Sequence, residues 1–323
     1  MDRFQYVVAR SPEHAVELLR DEDNKTKIHA GGQDLLGELK HHLLAPELLV
    51  DISGIEELHS IKTNGGGLYI GATVTLAEIE ENEFIRTRHT ALAEAASVVG
   101  SPQIRNVGTL GGNLCQRPRC WYYRDEAYPC LKKGGASCYS FMGRNRDHAI
   151  LGGGPCFMVH PSDCAPALMA LGATVCLLGP GGPREIPLED FYILPKEDQK
   201  REHVMARREM VTGVDIPPHA GKSTYVKFRE KEGFDWALAS VAAVLELDGQ
   251  RCKKASIVLG GVAPKPWRAT KAQAVLTGKT ITESLVEEAG KAALDGARPL
   301  SDNAYKIPLA KALVKQAIMK LVS

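Results

Sequence analysis

Across residues 105–149 the chain loses every regular hydrophobic period. It is rich in Gly, Pro, Arg, Tyr and Cys there and repeats at neither 2 nor 3.6 residues. A stretch of that length without patterning is uncommon in a compact protein unless it is functional or disordered. Trp121, Tyr122, Tyr123 and Tyr128 lie inside it and argue against disorder. The cysteines concentrate in the same region. Of eight in the chain, six stand at 115, 120, 130, 138, 156 and 164, and Cys176 and Cys252 stand apart. Eight are too few to scaffold 323 residues with disulfides. The fold must therefore hold a long irregular, thiol-bearing segment between two regions of ordinary pattern.

Composition narrows the function classes. At roughly 150 residues per domain, the length corresponds to two domains or three. The formal net charge is +1, which gives no electrostatic reason to expect a nucleic acid partner or an anionic membrane. No segment approaches the roughly 18 uncharged apolar residues of a membrane-spanning helix, so no membrane insertion is expected. The opening residues, MDRFQYVVARSPEHAVELLR, show no apolar signal core or cleavage site, so the expected compartment is the cytoplasm. Co-export with a signal-bearing partner would place the folded chain in the periplasm instead. In a reducing compartment, clustered thiols point to metal or redox chemistry.

Regular elements flank the irregular stretch. Ser11 and Pro12 are a helix cap and a first-turn proline, with Ala15, Leu18 and Leu19 as the apolar face. Residues 21–27 read as a loop, 48–52 and 68–74 as strands, and 76–85 and 91–99 as helices. A helix and then a strand occupy 165–178. The charged segment 196–208 reads as solvated, and Ile216-Pro217-Pro218 marks the expected domain boundary. Strands are expected at 223–228, 239–247 and 255–262, and helices at 282–294 and 309–321. In the last, Leu309, Leu313, Ala317 and Leu321 make one face. The fold class is α+β.

Five constellations carry chemistry. Ala30-Gly31-Gly32-Gln33-Asp34-Leu35-Leu36 is a glycine turn whose N–H groups suit an anion such as a pyrophosphate, or else a plain strand-to-helix turn. It is not the G-x-G-x-x-G of a Rossmann fold. Thr109-Leu110-Gly111-Gly112-Asn113-Leu114 is a second such turn, and the pair fits one elongated ligand spanning both. Cys120, Cys130, Cys138 and Cys156 have the spacing C-x9-C-x7-C-x17-C. Four thiolates suit a [4Fe–4S] cluster or tetrahedral zinc, and the missing C-x2-C knuckle favours iron. Buried free thiols are the bland alternative, and Cys115 or Cys164 would substitute for a member of the set. Asp163 precedes an apolar helix as a cap or as a hydrogen-bond acceptor for a ligand. Lys227 and Arg229 share one face of a strand, either along a ligand or in solvent. No hydrolase triad, H-E-x-x-H, P-loop or EF-hand is present.

Together AGGQDLL, TLGGNL, HPSDCAPALMALGA and KFRE…FDWALASVA resemble the flavin subunit of the xanthine oxidase family of molybdenum hydroxylases, over nearly the whole chain. The cysteine insert resembles the two branches whose flavin subunit carries an extra [4Fe–4S] cluster, the periplasmic aldehyde oxidoreductases and the 4-hydroxybenzoyl-CoA reductases. QRPRCWYY, HPSD and LGGVAPKPWR look closer to the former. The resemblance implies a two-part FAD-binding domain over 1–217, with parts at about 1–58 and 59–217 and an insert at about 115–157. A smaller α+β domain of the CO dehydrogenase flavoprotein type follows over 218–323. It puts FAD contacts on Ile28, His29, Ala30, Gly31, Gly32, Gln33, Asp34, Leu35, Leu36, Thr109, Gly112, Asn113, Asp163 and Lys227. It puts the cluster on Cys120, Cys130, Cys138 and Cys156, with Cys115 outside the set. The implied function is electron transfer, without catalytic residues of its own, in a molybdenum-dependent aldehyde oxidoreductase. The implied partners are a molybdenum-cofactor large subunit, a [2Fe–2S] small subunit and an electron acceptor. A benzoyl-CoA-type reductase flavin subunit is the alternative within the family, and a zinc-stabilised non-redox binding module the alternative outside it. Gln33 stands where Thr is frequent in the family, and Trp236 where a smaller apolar residue is usual.

Overall fold

The computed structural model describes residues 1–20, 25–231 and 233–323, so the loop expected at 21–27 lies partly outside the described residues. Ser11 caps the helix Pro12–Leu18 as its sequence requires, its hydroxyl accepting the His14 N–H at 3.2 Å. Around that helix a parallel sheet of β1 (Gln5–Val8), β2 (Thr26–His29) and β3 (Leu48–Asp51) runs in the order β1-β3-β2. A second, antiparallel sheet contains β4 (Ile61–Asn64), β5 (Gly67–Gly71), β6 (Thr174–Gly179), β7 (Gly182–Pro187) and β8 (Met210–Ile216), in the order β4-β5-β8-β6-β7. Residues 72–173, including the irregular stretch, are thus an excursion between β5 and β6, which lie on either side of β8 in one sheet.

Two expectations change here. The strand expected at 68–74 stops at Gly71, where the chain turns and the Val74 N–H bonds the Gly71 carbonyl. The helix expected at 76–85 is two helices, Leu76–Glu81 and Glu83–Arg88. Asn82 leaves helical geometry (ψ 118°), and its side chain caps the second helix through the Ile85 N–H at 3.1 Å.

The third sheet holds β9 (Lys222–Phe228), β10 (Ala239–Asp248), β11 (Arg251–Gly260) and β12 (Trp267–Arg268), ordered β12-β11-β10-β9 and wholly antiparallel. Strand β10 explains its own unbroken apolar sequence. Ala239, Val241, Ala243 and Leu245 face the helices Thr270–Leu276, Glu283–Ala293 and Lys306–Val322. Ala242 and Val244 face the opposite way, into the core shared with the five-stranded sheet and the helix Cys164–Ala170. A strand buried on both faces reads as a run rather than an alternation. Edge strand β9 is covered by the helix Thr90–Ser97: Glu94 accepts the Thr224 hydroxyl and the Tyr225 N–H, both at 2.7 Å.

The irregular stretch forms short turns, among them the helices Leu110–Leu114 and Trp121–Arg124. Its far end is pinned to the C-terminal region. Asn145 bonds Ser301 and Asp302, and the buried Lys306 ammonium donates to the carbonyls of Asp147 (2.9 Å) and Gly261 (2.7 Å).

Burial, slightly opposed by Asp147, lowers the Lys306 pKa from 10.5 to about 7. The unfolded chain therefore binds one more proton than the folded chain between those values, and folding stability gains with pH across that window. We expect wild type to gain stability relative to Lys306→Met as pH rises from about 7 towards 10.5. Denaturant titrations of both chains across this range measure it.

Candidate functional site

The two glycine turns lie against each other. After β2 the chain turns through Ala30 and Gly31 to Gly32, whose φ of +68° suits glycine, and then enters the helix Leu35–Lys40. A Cβ on Gly31 would stand 2.0 Å from the Val107 carbonyl oxygen and 3.2 Å from the Gly108 Cα. Two residues on, Thr109 caps the helix Leu110–Leu114, its hydroxyl accepting the Gly112 N–H at 3.2 Å. Among the described residues, the amides of Gly31, Gly32, Gln33 and Asp34 donate to no protein acceptor. Successive free N–H groups in a glycine turn form an anion-binding nest, which fits the pyrophosphate of a dinucleotide.

The rest of the 28–36 segment is anchored around this turn. Ile28 and Ala30 pack on the small core of the parallel sheet. The His29 ring sits beside Gly32, with Nδ1 3.6 Å from Asp51. Burial pushes the Asp51 carboxyl up, but hydrogen bonds from Tyr6 and Ser53 outweigh it and hold its pKa below the usual range. Gln33 is exposed and its amide reaches back to the Gly31 carbonyl at 3.4 Å. Leu35 is half-buried, and Leu36 leaves an exposed apolar side chain at the same place.

Asn113 leads from this turn to Asp163. The Ser162 hydroxyl donates to Asn113 Oδ1 at 2.5 Å and accepts the Ala165 N–H at 2.9 Å. Ser162, not Asp163, therefore caps the helix Cys164–Ala170, which corrects the capping reading of Asp163. Asp163 instead accepts the Tyr225 hydroxyl (2.6 Å) and the Lys227 ammonium (2.8 Å). Both side chains of that ion pair are 3% exposed, so Lys227 is no solvated face of an edge strand. Lys227 also donates to the Val98 carbonyl at 3.0 Å, and Arg229 reaches the same oxygen.

Cys120, Cys130, Cys138 and Cys156 line a single pocket, together with Tyr122 and Lys132. Cys115 and Cys164 lie elsewhere, against the core of the five-stranded sheet, where burial pushes the Cys115 thiol up to about 12. Cys176 and Cys252 sit in β6 and β11. Within the pocket, a hydrogen bond from Cys156, opposed by burial and assisted by Ser140, pulls Cys138 down to about 5. Cys120 Sγ lies 3.2 Å from His148 Nε2. Four cysteines lining one pocket are the soft donor set of an iron–sulfur cluster or of zinc.

A buried charge network joins that pocket to the first glycine turn, and sequence reasoning missed most of it. Asp34, expected to touch a flavin, accepts from Arg119 Nη1, Arg124 Nη2 and the Arg117 N–H, each at 2.6 Å. One helical turn later, Glu38 accepts the Tyr123 hydroxyl, and burial, opposed by Arg117 and Tyr123, raises its pKa. Arg117 pairs with Glu202 at 3.1 Å, and Lys132 pairs with the same carboxylate. Glu202 is 3% exposed, so the charged segment 196–208 is not simply solvated: its one buried acid has two cations. The Arg119 guanidinium also lies 4.5 Å over the Trp236 ring, which joins the C-terminal region to the insert. The run RPRCWYYR and the four-residue spacing of Asp34 and Glu38 were the available signals.

Residues 2–219 match the FAD binding domain in molybdopterin dehydrogenase, and residues 223–321 match the CO dehydrogenase flavoprotein C-terminal domain. The chain belongs to the FAD-binding subunits of the xanthine oxidase family of molybdenum hydroxylases. It is 35% identical over 317 residues to the aldehyde oxidoreductase FAD-binding subunit PaoB of Escherichia coli, covering 96% of each chain. It is 28% identical to the glyceraldehyde dehydrogenase medium chain of Sulfolobus acidocaldarius, covering 98% of this chain and 96% of that one. Among solved structures, carbon monoxide dehydrogenase from Hydrogenophaga pseudoflava superposes with a TM-score of 0.79 at 28% identity, over 99% of this chain and 97% of that one. The α+β architecture is that of this flavoprotein family.

Two outcomes follow from the geometry. Gly31→Ala forces its methyl into the Val107 carbonyl, so the turn must shift; the folded variant should retain far less FAD, read as flavin absorbance per chain. Lys227→Met leaves the Asp163 carboxylate buried without its cation and should cost about 3–5 kcal/mol in chemical denaturation.

Proposed function

We propose that this chain is the FAD- and [4Fe–4S]-carrying electron-transfer subunit of a molybdenum-dependent aldehyde oxidoreductase. The carrying observation is the convergence of Cys120, Cys130, Cys138 and Cys156 on one pocket. The aldehyde assignment draws on the likeness to two aldehyde-named relatives. In this reading the flavin domain spans 1–217, with parts at about 1–58 and 59–217 and an insert at about 115–157, and the C-terminal domain spans 218–323. The partners are a large subunit with the molybdenum cofactor and a small subunit with [2Fe–2S] clusters, which passes electrons to this chain. An external acceptor takes them from it. The first of these partners holds the oxidation site, so this chain needs no acid, base or nucleophile.

The chain's own residues bind, orient and exclude. The amides of Gly31 to Asp34 would donate to the pyrophosphate, and the missing side chains on Gly31 and Gly32 would let it approach the backbone. Thr109, Gly112 and Asn113 present the second edge of the same cradle. Asn113 is held by Ser162, and Asp163 with Lys227 forms a fixed charged floor behind it. FAD, when bound, accepts electrons singly or in pairs, which suits it to stand between one-electron carriers and an acceptor. Cys120, Cys130, Cys138 and Cys156 would hold a [4Fe–4S] cluster through their thiolates.

Isolated from its complex, the chain should show flavin bands on a broad iron–sulfur shoulder, with about four irons and four sulfides per chain. Cys138→Ala should lose the iron, and Cys176→Ala, in β6, should keep it. Zinc without iron or sulfide would overturn the cluster assignment. Turnover of a benzoyl-CoA-type thioester in place of an aldehyde by the assembled enzyme would overturn the substrate class.

A further inference from the structure

We propose that the cysteine insert is a clasp that positions the flavin loop, so that filling the cysteine pocket and holding FAD are energetically coupled. This rests on the reading of residues 28–36 as the FAD loop and of the four cysteines as a metal site. It gives the extra metal group a task other than carrying electrons.

Asp34 and Glu38 stand four apart and so share one face of the helix that leaves the first glycine turn. Among the described residues, the side-chain hydrogen bonds of Asp34 and Glu38 all come from the insert. Arg119 and Arg124 hold Asp34 Oδ1, the Arg117 N–H holds Oδ2, and Tyr123 holds Glu38. The two-oxygen grip on Asp34 fixes the orientation of the residue that closes the row of free amides. In their turn, the gripping residues are set from the cysteine pocket. The carbonyl of Cys120 accepts the N–H groups of Tyr123 (3.0 Å) and Arg124 (2.9 Å), and so aims both side chains. Lys132, also lining the pocket, holds Glu202, which holds Arg117 at 3.1 Å. Arg124 is tied further by its Nε to the Pro118 carbonyl at 2.8 Å. No flexible linker intervenes between Cys120 and Asp34. Fixing Cys120 on a metal group therefore orders the turn Trp121–Arg124, and that turn orders the loop.

Coupling of this kind is reciprocal: FAD must tighten metal retention by the factor by which metal tightens FAD. Arg119, Tyr123 and Arg124 are positioning residues, because they act on the cofactor through Asp34 and Glu38.

The test uses the full chain in its purified complex and reads three quantities that do not depend on turnover: the FAD dissociation constant, iron per chain and thermal midpoint. We expect the double variant Arg119→Met, Arg124→Met to weaken FAD by roughly tenfold or more while iron at saturation is retained. Asp34→Asn is the milder companion should the double variant fail to fold, and it should weaken FAD in the same direction. Arg146→Met breaks an exposed pair of the insert with Glu230 and should leave FAD affinity unchanged. Removing iron with a chelator should weaken FAD in wild type and add little in the double variant. Unchanged FAD affinity in both Asp34→Asn and the double variant, in a protein that loses FAD through Gly31→Ala, overturns the clasp alone. FAD retention by Gly31→Ala overturns the loop assignment and the clasp with it. Equal weakening by chelation in wild type and double variant shows that any coupling bypasses these residues and also overturns the clasp.

Discussion

The contact between Gly31 and the Val107 carbonyl sets the geometry on which the site depends. Two backbone segments touch there at a distance that leaves no room for even a methyl group. The contact fixes the end of β2 against the entry to the helix Leu110–Leu114, and so brings two glycine turns, far apart in sequence, to one place. From that place Asn113 reaches Ser162, and the neighbouring Asp163 reaches Lys227 on β9. The parallel sheet supplies the first turn, the excursion between β5 and β6 supplies the second turn with Ser162 and Asp163, and the C-terminal sheet supplies Lys227. Because β10 is apolar on both faces, the C-terminal sheet cannot move away without exposing the core it shares with the rest.

Charge does a different job from apolar packing in this molecule. Buried ions cost several kcal/mol each unless closely paired, and they then add little net stability. Yet Glu38, Glu202, Lys132, Asp163 and Lys227 are all buried in side chain and all partnered. What such pairs supply is geometry, since breaking one leaves its partner uncompensated. They are concentrated where the irregular stretch meets the glycine turns and where β9 meets Asp163, the two places where position matters most for a bound cofactor.

Much of this was legible in the sequence because it is local. Ser11-Pro12, the apolar run of β10 and the glycine pairs each encode their own conformation through capping, burial or positive φ. The long aperiodic stretch marked Cys120, Cys130 and Cys138 but holds Cys115 as well, and only the family resemblance fixed Cys156 as the fourth and set Cys115 aside. What failed was non-local. Nothing in the segment 196–208 shows that Glu202 alone turns inward, because its cations, Arg117 and Lys132, come from seventy and more residues away. The grip on the Asp34 side chain was unreadable for the same reason, because the arginines that make it come from the insert, more than eighty residues away. The break at Asn82 was local but was outweighed by the apolar positions on either side of it.

The insert itself shows why thiols belong there. None of residues 116–149 takes part in the three apolar cores. Ordering a backbone costs about 1–2 kcal/mol per residue, and elsewhere in the chain apolar burial offsets that cost. Here hydrogen bonds, ion pairs, a cluster of Tyr122, Tyr128 and Tyr139 rings and the Arg119–Trp236 contact carry much of that task, with few apolar side chains buried. A segment without a core is stabilised by cross-links, whether disulfides in an oxidising compartment or a metal centre in a reducing one. Four cysteines, from three separate turns of the insert and from its exit, line one pocket there. The shortage of apolar burial that erased the hydrophobic period across 105–149 is thus what leaves polar contacts, rather than a core, to hold the insert in place.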